Sequence, residues 1–277
     1  VGLGIEFIVA QWKKEEIQEG FLVSGMLIPM IVPVDCPLWM LAVATAFSVI
    51  FAKEVFGGTG MNIFNPALIT RAFLFFAYPT KMSGDAVWVS GNSIFGMGQT
   101  VDGLTAATPL GVAKVAECPA FSWDMVTGLI PGSIGETSVI AIAIGVVILL
   151  WTGVASWKTM LSVFVGGAVM GWIFNTIGPD TSIAHMPWYE HLCLGGFCFG
   201  AVFMATDPVT SSRTENGKFV YGFLIGAMAI IIRVLNPGYP EGMMLAILLM
   251  NIFAPLIDYV VVQNNISRRA KRAMSNK

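Results

Sequence analysis

"FGGTGMNIFNPALITRAFLFF", residues 56–76, decides how this chain folds. Its second half is apolar enough for a helix in lipid. Its first half carries Gly57, Gly58 and Gly60, then Asn62, Asn65 and Pro66. Glycine lets the backbone turn where other residues resist, and proline suits the first turn of a helix because its missing N–H costs nothing there. Two readings follow: an ordinary packed helix after a tight turn, or a half-helix whose free amides face a cavity.

The rest of the chain says which solvent that helix meets. Of 277 residues, 56% are hydrophobic and 12% charged, against about 25% charged in soluble domains. The mean hydropathy is +0.75. The expected fold is an all-α integral membrane protein, a multi-pass helical bundle forming a single transmembrane domain over residues 1–277 in the lipid bilayer. Against the roughly 20 residues a helix needs to cross, apolar runs fall at 1–11, 21–34, 37–53, 64–79, 137–154, 158–177, 189–205, 219–235 and 241–262. The chain opens at Val1 without an initiator methionine and inside an apolar run, which points to sequence preceding it; no signal peptide is recognisable.

Short cytoplasmic loops retain basic residues. If each run crosses once and the basic tail at 263–277 is cytoplasmic, Lys13, Lys14, Lys53, Lys158, Arg213 and Lys218 also fall inside, and only Lys81 and Lys114 fall outside. The loop at 80–136 is then extracytoplasmic. The net charge of −2 names no partner. No clustering of basic and aromatic residues suggests nucleic acid.

A second interrupted segment, "GGFCFGAVFMATDPVTSSR", residues 195–213, has Gly195 and Gly196 before a helix and Thr206, Asp207 and Pro208 at its end. Two such segments in corresponding halves suggest two pseudo-symmetric repeats with broken helices and a pathway between them, a transporter-like arrangement. Ordinary packing glycines and turn prolines are the competing reading.

Ionisable groups in membrane segments are costly and usually face a pathway. Glu6, Asp207 and Asp258 are the candidates, and carboxylate oxygen suits a hard cation such as sodium. The plainer readings are a helix-end turn residue for Asp207 and an interfacial carboxylate for Asp258. Phe199 and Phe203, four apart, share a helix face as packing residues or as a hydrophobic constriction. Arg71 and Arg233 have three candidate partners: backbone carbonyls, a carboxylate or an anionic headgroup. His185 and His191 are too few for a metal site and read as satisfied interfacial residues. Cys36, Cys118, Cys193 and Cys198 form no CxxC pair and read as small apolar fillers, so no metal is expected. Ser133 and Glu136 in "GSIGET" read as a capping box starting the next helix.

"DGLTAATPLG", residues 102–111, sets Thr105 and Thr108 among Gly103, Ala106 and Ala107. Small neighbours leave room for a bulky group to reach a hydroxyl. No histidine nearby serves as a base, and by itself the stretch reads as a tight turn.

Several motifs together resemble a known family. "FGGTGMNIFNPALITRAFLFFAYP", "DGLTAAT", "PGSIGE", "GGFCFGAVFMATDPV" and "RVLNPGYPEGMMLAIL" are similar to the B subunits of the bacterial sodium-pumping NADH:quinone oxidoreductase, and more distantly to the D subunits of the Rnf complex. The resemblance runs over nearly the whole chain. It implies a translocase component of the bacterial cytoplasmic (inner) membrane, with the two-repeat fold of urea- and ammonium-transporter-like proteins. It also implies, as partners, the A, C, D, E and F subunits of a six-subunit complex. In that family the last threonine of an S/T-G/A-A-T motif carries FMN through a phosphoester bond installed by a flavin transferase; here that position is Thr108. Ala106 stands where glycine is frequent. Riboflavin is held noncovalently near the motif matching Gly60, Asn62 and Asn65. The motif matching Gly2, Gly4 and Glu6 borders the membrane quinone site, with Leu3 standing where the family has a second glycine. Residues implicated in the sodium pathway match Glu6, Asp207, Asp258, Phe199 and Phe203.

The implied activity is electron transfer from FMN through riboflavin to a quinone, coupled to Na+ translocation. The alternatives are a passive channel or secondary transporter of the same architecture, and the ferredoxin-linked Rnf-type subunit. A purely structural anchor leaves the intramembrane carboxylates and broken helices unexplained, and a channel has no use for "DGLTAAT".

Overall fold

The computed structural model describes residues 1–14, 20–33, 36–82, 108–115, 121–179, 181, 183–236 and 242–275, and among them all regular structure is helical. The first half contributes α1 (Gly2–Lys13), α2 (Phe21–Ile31), α3 (Leu38–Ser48) and α4 (Pro66–Ala77). After α3 the chain runs through a π-helical turn, Val49–Lys53, and a 3-10 turn, Glu54–Phe56. Three short pieces follow: α5 (Pro79–Met82), α6 (Pro109–Val115) and α7 (Asp124–Thr127). The second half holds α8 (Val139–Trp151), α9 (Trp157–Ile177), α10 (Trp188–Cys193), α11 (Phe197–Phe199), α12 (Glu215–Leu235) and α13 (Met243–Ser275). A π-helical turn, Gly200–Met204, extends α11.

Not every apolar run becomes a crossing helix. Among the described residues, four helical stretches are long and apolar enough to span a bilayer: Leu38–Phe56, Trp157–Ile177, Glu215–Leu235 and Met243–Met274. The runs at 21–34, 64–79 and 137–154 yield helices of 11, 12 and 13 residues, each short of a full span. The run at 189–205 is split between α10 and α11, where Gly195 and Gly196 take φ of 65° and 68°. By length, then, these runs do not each form one continuous helix long enough to span.

The second-half scaffold is the α9–α12 pair. A Cβ on Gly226 would stand 2.0 Å from the Val163 carbonyl oxygen, and one on Gly166 would stand 2.2 Å from that of Phe223. Helices that cannot gain from expelling water associate by such close backbone approach. Tyr221 on α12 is fully buried and donates its hydroxyl to Asn251 Oδ1 on α13 at 2.7 Å. The split segment at 194–208 packs against α8, α9 and α13.

Candidate functional site

The two interrupted segments meet. Asn65 precedes α4 and accepts the Ala67 N–H at 2.9 Å on its side-chain oxygen, which caps the helix. Its amide donates to Asp207 Oδ2 at 3.3 Å. Asp207 ends the split segment and also accepts the Val209 N–H at 3.1 Å and the Thr210 hydroxyl at 3.0 Å. Beside this contact lies a cavity of about 350 Å³ lined by Lys53, Gly60, Asn62, Asn65, Phe203 and Asp207, among others.

The cavity has room for a flat heteroaromatic ring, and its lining mixes apolar walls with amides in the manner of cofactor pockets. A Cβ on Gly60 would meet nothing within 4 Å. Asn65 is largely engaged by its cap and by Asp207, whereas Asn62 uses one N–H, donated to the Phe64 carbonyl at 3.2 Å. The chemistry of this donor set fits the polar edge of an isoalloxazine.

A second cavity, of about 420 Å³, shares Gly60, Asn62 and Val209 with the first and reaches Arg213, Asn251 and Asp258. Asp258 is heavily engaged. It accepts the hydroxyls of Ser212 and Thr214, both at 2.6 Å, and the backbone N–H groups of Arg213 and Thr214 at 2.8 and 3.0 Å. Those four bonds tie α13 to the loop that starts α12, so Asp258 fixes that loop and is not a freely presented interfacial carboxylate.

Phe199 and Phe203 do stack, with ring centroids 5.0 Å apart and planes at 43°. Phe203 lines the first cavity, while Phe199 is buried behind it. Gly145 on α8 makes space for the front ring: a Cβ there would come within 2.6 Å of Phe203 Cζ.

Glu6 is not among the residues that line the first cavity. It is buried on α1 and ion-paired with Lys53 at the end of the π-helical turn. Gly2 is buried on the same helix, and Gly4 is exposed with open space around it. Lys53 is the residue that sequence reasoning missed: it read as one more cytoplasmic cation, although a lysine closing an apolar run was the available signal.

At the other end, Thr108 Oγ1 accepts the Gly111 N–H at 3.1 Å at the start of α6, so its hydroxyl oxygen doubles as a local cap. Thr108, Leu110, Glu136, Gly195 and Gly196 border a narrow cleft of about 20 Å³. Thr105, Ala106 and Ala107 lie outside the described residues, as do Gly103 and Cys118. Glu136 does not complete a capping box, because Ser138 caps α8 by accepting the Ala141 N–H at 3.3 Å. Instead Glu136 forms a buried ion pair with Arg71 of α4. Its carboxyl carbon would stand 2.8 Å from a Cβ on Gly196.

Both arginines find protein partners. Arg71 meets a carboxylate, and Arg233 meets backbone carbonyls, donating to His191 O at 2.6 Å and Leu194 O at 3.0 Å where α10 ends. His191 is fully buried beside it.

These features define a class: a helical protein with spans long and apolar enough for a membrane, whose interrupted segments meet beside a partly polar cavity. The chain belongs to the NQR2, RnfD, RnfE family, whose model matches residues 1–267. It is 51% identical over 273 residues to the B subunit of the Na(+)-translocating NADH-quinone reductase of Chromohalobacter salexigens, covering 96% of this chain and 64% of that protein. The corresponding Klebsiella pneumoniae protein is 51% identical over 278 residues, covering 96% and 65%. That of Pseudomonas aeruginosa is 49% identical over 274 residues, covering 96% and 66%. The chain thus spans less than two thirds of the length of these relatives.

Proposed function

We propose that this chain is the membrane subunit of a redox-driven sodium pump, a translocase that couples quinone reduction to Na+ movement. The observation that carries the reading is the Asn65–Asp207 contact beside a cavity of about 350 Å³. It joins the residues matched to riboflavin binding with one matched to the sodium pathway. Further support is the similarity to the B subunits of Na(+)-translocating NADH-quinone reductases.

Under this reading the flavins, FMN on Thr108 and riboflavin at Gly60, Asn62 and Asn65, would supply the electron relay to a membrane quinone bordered by Gly2, Gly4 and Glu6. The chain's own residues do the rest. Asn62 orients the ring edge through its remaining carbonyl oxygen and N–H. Asp207, held by three donors, presents carboxylate oxygen to a hard cation. Phe203, at the cavity wall, narrows the path, with Phe199 behind it. Asp258 lines the second cavity and holds the adjoining loop in register.

The two interrupted segments are taken as equivalent parts of two pseudo-symmetric repeats in one transmembrane domain. The basic tail is cytoplasmic, the 80–136 loop extracytoplasmic, and the membrane the bacterial inner membrane. The partners are the remaining subunits of a six-subunit complex, a flavin transferase acting on Thr108, and the quinone.

The test is a denaturing gel of the complex viewed under ultraviolet light. The wild-type band fluoresces and the Thr108→Ala band does not. A dark wild-type band, or fluorescence that survives the substitution, overturns the covalent-flavin assignment.

A further inference from the structure

Half-buried Asp207 lines the first cavity, and among the described residues Lys53 is the one cationic side chain in that lining; Glu6, buried on α1, lies outside the lining and reaches it through Lys53. Asp207 is held by the Asn65 amide, the Val209 N–H and the Thr210 hydroxyl, all neutral donors. Lys53 borders the same cavity, yet its ammonium rests on Glu6. The second Glu6 oxygen, Oε2, is buried without a hydrogen-bond partner among the described residues. An acid inside a membrane segment is costly unless paired. Two acids and one lysine leave the group one cation short.

The lysine is built to serve either acid. It closes the π-helical turn Val49–Lys53, and its backbone leaves the helical region with φ of −126° and ψ of −62°. Turns of this kind interrupt the hydrogen-bond ladder and recur at functional sites. Its flexible four-carbon stem carries a compact point charge. Glu6 holds that charge at one side, and the cavity shared with Asp207 lies at the other.

We propose that Lys53 is a tethered internal cation that alternates between Glu6 and Asp207, so that sodium at Asp207 and the Lys53–Glu6 ion pair are mutually dependent. The inference rests on the sodium reading above and names the competitor for its site. With sodium on Asp207, Lys53 neutralises Glu6 and each acid has a cation. With sodium gone, the ammonium enters the cavity and takes Asp207. Glu6 then loses its partner, and α1 loses its buried ionic tie to the π-helical turn.

The experiment is equilibrium binding of radioactive sodium to the purified complex carrying wild-type chain, Glu6→Gln, or Glu6→Gln with Lys53→Met. Glu6→Gln frees the ammonium for Asp207 and weakens sodium binding by roughly fivefold or more, the scale of ordinary site coupling. Adding Lys53→Met removes the competitor and brings binding above the wild-type affinity. That double variant replaces the pair by neutral residues, so it keeps the test decisive if Glu6→Gln alone does not assemble. Equal affinity in all forms, or a double variant weaker than wild type, overturns the proposal. A wild-type complex that binds no sodium overturns the sodium reading instead.

Discussion

The side-chain amide of Asn65 donates to the Asp207 carboxylate at 3.3 Å, across 142 positions of chain. Asn65 simultaneously caps α4, so one residue starts a helix and ties it to the end of the split segment. The two interruptions are thereby one structural unit.

Asn65→Ala removes the cap and the Asp207 partner together. The lost cap alone is expected to cost about 1 kcal/mol. Asn65→Asp keeps a good capping side chain but sets a second negative charge beside Asp207. Thermal unfolding in detergent, with extractable riboflavin measured in parallel, should show Asn65→Ala less stable than wild type and both variants depleted of flavin.

Arg71 and Glu136 form a buried pair, and breaking one half leaves an isolated charge. Arg71→Met should cost roughly 3–5 kcal/mol, while Arg71→Met with Glu136→Gln should recover much of that loss. Comparing the folded yield of the two variants checks the coupling; independent, additive losses would refute it.

Asp258→Asn tests whether this carboxylate fixes the loop before α12. An amide nitrogen in place of Oδ2 would face the Arg213 N–H, and two donors cannot satisfy each other. The expected loss is about 1–3 kcal/mol, accompanied by faster proteolysis within 206–214. Unchanged stability would return Asp258 to the role of a freely presented ligand.

Gly226→Ala drives a methyl group toward the Val163 carbonyl oxygen, which stands 2.0 Å from the ideal Cβ position. Relief requires α9 and α12 to separate, and overpacking of this kind costs about 1–3 kcal/mol. The same substitution at Gly60, where a Cβ meets nothing within 4 Å, should cause no steric conflict; its φ of +88° still makes it strained. The two melting curves separate crowding from backbone strain.

Phe203 lines the cavity, and Phe199 stacks behind it at 5.0 Å between centroids. Phe203→Ala is expected to widen the cavity and to raise uncoupled sodium leak through reconstituted complex more than Phe199→Ala does. Equal leak from both would count against Phe203 as the narrower point.

What the sequence determined by itself was local in origin. The apolar excess and low charge sufficed for a helical membrane protein, because lipid leaves the backbone few other ways to satisfy its hydrogen bonds. Glycine, asparagine and proline around 57–66 and 195–208 marked both interruptions correctly, since their constraints act within a few residues. Tertiary structure decided which distant groups share a charge. Lys53 looked like a loop cation, Glu136 like a helix cap and His191 like an interfacial residue; each proved buried, with Glu6, Arg71 and Arg233 respectively beside it. Only the approach of α1 to the π-helical turn, and the reach of Arg71 to Glu136 and of Arg233 to His191, brings those pairs together. The energy of a buried charge depends on its neighbours in space, which residue spacing along the chain does not encode.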